Sequence, residues 1–283
     1  KYVGGAEHAC MHLLYARFIT KALRDMGYLK FDEPFTSLTH QGVILGPDGN
    51  KMSKSRGNVV SPDDSISKFG ADIFRVYLMF GFNYIEGGPW NENGLDSINR
   101  FFDRVERIVK KCYEVNFEEK PLGKAEKELN RVRHNTIKCV TNDLGIFSFN
   151  TAVARLMEFV NAIYAYESAV DKKNAFYKDC AKDLVLLLAP FAPHFAEELW
   201  EMLGQEYSVF NQPYPKFDPS AMVLDEVELA VQINSKLRGR VTVASSASKE
   251  EVEKAALEAV KDQLNGAPKK VIVVPGRLVN IIA

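Results

Sequence analysis

Cysteine is scarce: the 283 residues hold four, at positions 10, 112, 139 and 180. None lies within four residues of another, so the paired spacing of a zinc site is missing. Reduced thiols in a cytoplasmic protein are the plainer reading. No apolar run reaches the ~20 residues that cross a bilayer, which excludes an evident membrane anchor. The longest candidate, 184–192, is interrupted by Pro190. An excess of either charge is lacking too. Thirty-six basic and 37 acidic residues leave a net charge of -1, so total charge announces no nucleic-acid partner, although basic residues can still gather on one face. There are no internal repeats or low-complexity tracts. An initiator methionine and a signal peptide are also missing. A chain that opens directly on a strand–turn–helix pattern reads as an excised fragment.

What is present suits a folded chain. A hydrophobic fraction of 46% with 26% charge argues against disorder over any long stretch, and the length fits one large domain or two to three smaller ones. Residues 1–57 read as an α/β layer: a strand, the turn Gly4-Gly5, a broadly buried helix over 7–26 ending at Gly27, and a β-like run within 35–45 that stops at Gly46-Pro47-Asp48-Gly49-Asn50. Segment 58–94 is compact and mixed. A helix starts at Ser61-Pro62, another covers 72–80, and an irregular link follows over 81–90. Segment 95–204 carries helical periodicities over 95–113, 124–144, 150–168 and 175–203, the last broken at Pro190 and Pro193, which predicts an all-helical bundle. A proline-bearing stretch, 205–224, reads as a linker. Segment 225–283 predicts a small α+β unit: strands over 227–234, 236–243, 270–275 and 278–282, with a helix over 248–264 opened by a Ser248–Glu251 capping box.

The sharpest chemistry sits in the loop Lys51-Met52-Ser53-Lys54-Ser55-Arg56-Gly57. Two ammonium groups three residues apart can meet one polyanion, with glycine keeping the loop mobile, as phosphoryl chemistry requires. A solvated basic turn has the same spacing, and charge alone favours that reading. A second string, Tyr2-Val3-Gly4-Gly5-Ala6-Glu7-His8-Ala9-Cys10-Met11-His12, puts two glycines where a ligand can approach backbone. Glu7 stands where it can accept from a ribose hydroxyl. His8 and His12 are four apart, hence on one face of the expected helix. The zinc-protease pattern needs glutamate straight after the first histidine, and position 9 is alanine, so core or ring-stacking histidines are the plainer reading and no metal site is assigned.

The literal strings go further. Lys-Met-Ser-Lys-Ser with Arg56-Gly57-Asn58 resembles the signature of class I aminoacyl-tRNA synthetases. The Tyr2–His12 string, continuing into Leu13-Leu14-Tyr15-Ala16-Arg17-Phe18, is similar to the leucyl-tRNA synthetases of bacterial type. The valine and isoleucine enzymes share the lysine loop but not usually the glycine–glutamate–histidine string. The resemblance implies a partial Rossmann-like nucleotide-binding half joined to a bundle of the anticodon-binding type and a small α+β C-terminal domain. It implies Lys54 as the main ATP contact with Lys51 supporting it and Ser53 and Met52 beside it, Gly5, Glu7, Gln41 and Ile44 facing the adenosine, and Tyr2, His8 and His12 lining a leucine pocket. ATP with Mg²⁺, leucine and tRNA(Leu) are then the substrates.

Phe149-Asn150-Thr151-Ala152 and 188–194 with Glu197-Glu198-Leu199-Trp200 resemble the bundle of this subclass. Segment 225–283, through Val231-Gln232-Ile233-Asn234 and 271–280, resembles the terminal domain that contacts the outer corner of tRNA. Its candidates are Lys236, Arg238, Arg240, Lys269, Lys270 and Arg277, diluted by Glu226 and Glu228. Arg100, Arg104, Arg107 and Lys111 form either a phosphate-facing stripe or a solvated face neutralised by Asp103 and Glu106. Two departures stand out. The histidine–glycine–histidine ATP signature and the editing insertion of the family are absent, so the missing N-terminal catalytic and editing portions are expected partners. Only 46–50 links Leu45 to the lysine loop, where many relatives carry an inserted module. These 283 residues are therefore expected to be inactive alone and to show an apolar patch, with association or partial disorder, near 1–45. Two other readings stay open: a tRNA-binding module without catalysis, and a valine or isoleucine synthetase.

Overall fold

The computed structural model describes residues 1–114, 117–171, 173–223, 226–245, 247–264, 266, 268–274 and 277–282. The chain divides into two compact units, Lys1–Phe217 and Asp218–Ala283. The stretches separated in sequence at 57 and 94 thus belong to one unit. Among the described residues, no helix is long and apolar enough to cross a membrane.

The first unit opens with strand β1 (Tyr2–Gly5), a 3-10 turn (Ala6–Ala9) and helix α1 (His12–Asp25), which leads to β2 (Leu38–Gln41). β1 and β2 pair in parallel, Gly4 opposite His40 and Gly5 opposite Gln41. α1 ends as its glycine predicts. Gly27, at φ +83°, donates to the Arg24 carbonyl while Tyr28 donates to Leu23, so a left-handed residue closes the last turn. The expectation of a broadly buried helix fails: only Thr20 of α1 is buried. Leu14, Tyr15, Phe18 and Ile19 are all more than half exposed. This is the expected apolar patch. Amphipathic spacing marks a stripe that wants cover, and no described residue buries it.

Gly42 separates β2 from β3 (Val43–Leu45), which pairs in parallel with β4 (Gly87–Pro89). This pairing replaces the irregular link expected over 81–90. Two glycines permit it. A side chain at Gly42 would run into the Glu86–Gly87 backbone, and one at Gly87 into that of Val43. Between β3 and β4 lie α2 (Pro62–Phe69), with proline in its first turn, and α3 (Ala71–Phe80).

Helices α4 (Asn93–Glu114), α5 (Lys124–Gly145), α6 (Phe149–Ala169), α7 (Phe176–Leu188) and α8 (Pro193–Met202) then build the bundle. In α4 the buried Leu95, Ile98, Phe101, Phe102, Val105, Ile108, Val109 and Cys112 recur every three or four residues, the spacing of one helical face. They meet Leu156, Phe159 and Ile163 of α6 and Leu184, Leu187 and Leu188 of α7 in one core. The buried Glu126 carboxylate is satisfied. Glu126 accepts from the Tyr166 hydroxyl at 2.9 Å and the Gly123 amide at 3.1 Å, and Tyr166 in turn accepts from the Asn174 amide at 3.0 Å.

Residues 205–217 pack within this unit rather than standing apart as a linker. Val209 is buried, the Trp200 indole donates to the Glu206 carbonyl at 2.9 Å, and Glu197 accepts from the Val209 amide at 3.2 Å. The other end of the expected linker, Leu224, lies outside the described residues, as does Asp225.

The second unit is a four-stranded sheet in the order β6-β5-β8-β7, from β5 (Glu226–Ile233), β6 (Lys236–Ala244), β7 (Lys270–Val274) and β8 (Leu278–Ile282). β5 and β8 run parallel in the centre and each hairpin adds an antiparallel edge. α9 (Lys249–Ala259) packs Val252 and Ala256 onto Leu229, Val231, Val279 and Ile281. The expected capping box forms: Ser248 donates its amide to Glu251 at 2.7 Å, and its hydroxyl accepts from the Glu251 amide at 3.3 Å. α9 is shorter than expected, with a 3-10 turn (Lys261–Gln263) replacing its last residues. Pro275 and Gly276 of the C-terminal string lie outside the described residues.

Candidate functional site

The lysine loop grows from a chain reversal. Gly46 donates to the Asn50 carbonyl at 2.8 Å, Gly49 donates to Gly46 at 2.9 Å, and Leu45 bridges Lys51. Asn58 closes the base of the loop from its far side. Its amide group donates to the Asp48 carboxylate at 3.0 Å, and its carbonyl oxygen accepts from the Ser53 amide at 2.9 Å. These bonds hold the Asp48 carboxyl below its ordinary range, with Asn58 the largest cause. Inside that clamp, Met52 turns inward against the bundle core. Ser53 and Ser55 share a hydroxyl bond at 2.8 Å. Lys54–Arg56 forms one 3-10 turn, ended by Gly57 at φ +66°.

Lys51 and Lys54 are exposed, and among the described residues no carboxylate pairs with either. The loop is therefore a fixed base carrying two uncompensated cations. Acceptors that approach it meet positive charge that no ion pair has neutralised.

A second group forms along β1 and β2 and the turn that follows β1; ligands bind at the carboxyl ends of strands in open parallel sheets. Tyr2 and His12 stack with centroids 5.6 Å apart, and the hydroxyl lies 3.2 Å from Nδ1. Phe35 packs tilted against Tyr2, with ring centroids 4.9 Å apart. The shared helix face expected for His8 and His12 is not formed. His8 lies in the 3-10 turn, the backbone breaks at Met11, and α1 starts only at His12, so the i, i+4 rule does not apply. His8 still reaches the site by lying over Gly4: a Cβ there would sit 3.7 Å from the His8 ring and 3.3 Å from Tyr2. The Glu7 carboxylate folds against Gly5, leaving no room for a side chain. Gln41 is exposed, with its carbonyl oxygen 3.5 Å from the Tyr84 hydroxyl. Ile44 packs on the bundle core.

Tyr2, His8 and His12 thus come together, as do Gly5 and Glu7. No hydrogen bond or ion pair among the described residues joins Lys51 or Lys54 to them. Sequence reasoning missed His40, which stands opposite Gly4 on β2. Only the parallel register brings it there.

The basic residues of α4 are partly spoken for. Arg104 donates to Asn161 at 2.8 Å and lies over the Tyr164 ring, while Lys111 pairs with Glu167. Glu106 pairs with Lys110 rather than with the stripe. In the second unit, Arg240 lies 3.6 Å from Glu228.

Comparison with known proteins agrees with the strings. A family model described as tRNA synthetases class I (I, L, M and V) matches residues 16–86, and one described as anticodon-binding domain of tRNA ligase matches 126–254. The second match runs past the bundle into α9. The leucine–tRNA ligase of Clostridium tetani is 57% identical over all of this chain, which covers 36% of that protein. The leucine–tRNA ligase of Caldanaerobacter subterraneus is 59% identical over all of this chain, covering 35% of its length. Among solved structures, the ternary complex of Agrobacterium radiobacter K84 agnB2 LeuRS with tRNA and LeuAMS matches with a TM-score of 0.81 and 34% identity, over 99% of this chain and 37% of that one. The chain thus spans about a third of the length of the relatives it matches. From its first residue to its last, this chain is homologous to about a third of the length of the class I leucine–tRNA ligases.

Proposed function

We propose that this chain supplies the lysine-loop half of an adenylation site, together with tRNA-binding segments, to an enzyme that joins leucine to tRNA(Leu). In that reaction leucine and ATP give leucyl-adenylate and pyrophosphate, and the leucyl group then passes to the tRNA end. The observation that carries the reading is the clamped loop: Asp48 and Asn58 fix its base, while Lys51 and Lys54 stay exposed at its tip.

Charge on the triphosphate shifts toward the leaving pyrophosphate as the adenylate forms. Cations already placed there stabilise the transition state more than the ground state. Lys54 acts from within the 3-10 turn and Lys51 from the bridge to Leu45. Tyr2, His8 and His12 enclose the leucine, while Gly5, Glu7, Gln41 and Ile44 meet the adenosine in a Rossmann-like half-fold. Ammonium groups suit phosphate oxygens and not a metal, so Mg²⁺ arrives with the ATP and supplies charge neutralisation on it. The bundle and the α+β unit serve tRNA.

Leucine-dependent pyrophosphate exchange tests the reading. In a protein carrying this stretch within the full length of its relatives, Lys54→Ala should lower exchange by about 10²–10³-fold, the cost of losing one transition-state contact. The 283 residues alone should show none. Robust exchange by them, or an unimpaired Lys54→Ala enzyme, would sink it.

A further inference from the structure

We infer that His40 is a second imidazole ligand of the acyl-adenylate, working beside His8. The inference rests on the adenylation reading above. His40 occupies the penultimate position of β2, opposite Gly4 in the parallel register. Register partners in a parallel pair turn their side chains to the same face of the sheet. His8 lies over that same Gly4. Two imidazoles therefore flank one glycine at the carboxyl ends of two parallel strands, where ligands gather in open α/β sheets.

The two rings share an unusual polarity. Nδ1 of His8 and Nδ1 of His40 are both buried without a hydrogen-bond partner. Neither Nε2 is buried in this way, and neither has a partner among the described residues. A proton on an unpartnered buried nitrogen leaves a donor unsatisfied. The neutral ring avoids this by carrying its proton on the open nitrogen. Both histidines thus present Nε2–H outward as donors. His12 differs, because its Nδ1 already meets the Tyr2 hydroxyl.

Two outward donors beside a glycine suit a ligand with clustered acceptor oxygens. Tyr2, His8 and His12 are the residues assigned to leucine, and Gly5 and Gln41 those assigned to adenosine. In the register, Gly4 and His40 come two rows after Tyr2 and immediately before Gly5 and Gln41. The group there is the acyl-phosphate junction, with its carbonyl and phosphoryl oxygens. His40 donates to one of these.

The test uses a full-length enzyme carrying this stretch and a non-hydrolysable sulfamoyl analogue of leucyl-adenylate, with binding read by calorimetry. His40→Ala should weaken analogue binding about tenfold, the size of one such hydrogen bond, and leave tRNA affinity unchanged. His40→Gln, whose amide nitrogen reaches the place of Nε2, should restore most of the loss. His40→Asn, whose amide sits at the place of Nδ1, should not. Wild-type affinity in a folded His40→Ala enzyme would overturn the assignment, as would rescue by asparagine instead of glutamine. If the wild-type enzyme fails to bind the analogue at all, the adenylation reading itself falls.

Discussion

Asp72 offers the most searching test of how the first unit is held together. It stands in the first turn of α3, is nearly buried, and accepts the Phe195 amide of α8 at 2.7 Å across 123 residues of sequence. Its other oxygen lies 3.0 Å from His194 Nδ1. In effect α3 lends α8 its N-cap, since no side chain of α8's own capping residue does so. Arg75, one turn on, donates to the carbonyls of Pro190 and Phe191 at 3.3 Å. One helix thereby closes both sides of the α7–α8 corner.

An ordinary N-cap is worth about 1 kcal/mol. A hydrogen bond to a charged acceptor is worth about 1.5–3 kcal/mol, and removing that acceptor leaves a donor stranded. Asp72→Ala should therefore cost about 2–4 kcal/mol. Asp72→Asn keeps an oxygen for Phe195 and should cost about 1 kcal/mol. His194 has a side chain 84% exposed, so solvent screens its pairing and His194→Ala should cost no more than about 0.5 kcal/mol. Urea unfolding followed by helical circular dichroism measures all three. If Asp72→Ala costs under about 0.5 kcal/mol, or His194→Ala matches it, the capping argument is wrong.

Other consequences can be checked with simple means. Burial pushes the Cys112 thiol up to about 11 and that of Cys180 higher still, while Cys10 is exposed; a thiol reagent should label Cys10 first and reach Cys112 and Cys180 only on unfolding. Equal native rates would contradict this. Gly42→Ala drives a methyl into the Glu86–Gly87 backbone, whereas nothing lies within 4 Å of a Cβ at Gly145. The first should cost about 3 kcal/mol or more and the second almost nothing, and denaturation midpoints that coincide would refute the close-approach account. Hydrogen bonds from the Ser248 amide and side chain hold the Glu251 carboxyl below its ordinary 4.5. A depressed folded value means the contribution is present above 4.5 and lost as pH falls through the lower value. An NMR titration should find the Glu251 midpoint below 4.5, moving up only in part in Ser248→Ala because that variant keeps the backbone amide; a wild-type midpoint at or above 4.5 would show that the cap does not depress it.

The helices of the bundle were legible to within a residue or two because their apolar positions repeat at the helical period and glycine or proline interrupts them. The capping box at Ser248 and the stop at Gly27 were legible for the same reason: each is settled within a few residues of chain. β4 was not, because three residues carry no alternation and their partner lies more than forty positions earlier. The helix expected from residue 7 lost its first turn to the break at Met11, which local spacing does not register.

The chemistry on offer is legible in the residues alone: two lysines around Met-Ser in a glycine-ended loop, and a glycine-paired, histidine-bearing turn, together similar to the leucyl-tRNA synthetases. Composition and short-range pattern suffice for that, since residue types and local turns do not depend on distant partners. Tertiary structure alone decided which polar groups find one another. Asn58 closing the loop on Asp48, Asp72 capping a helix 123 residues away and His40 standing beside Gly4 all depend on hydrogen-bond geometry between segments. Such geometry exists only once the strands have chosen their register and the helices have packed.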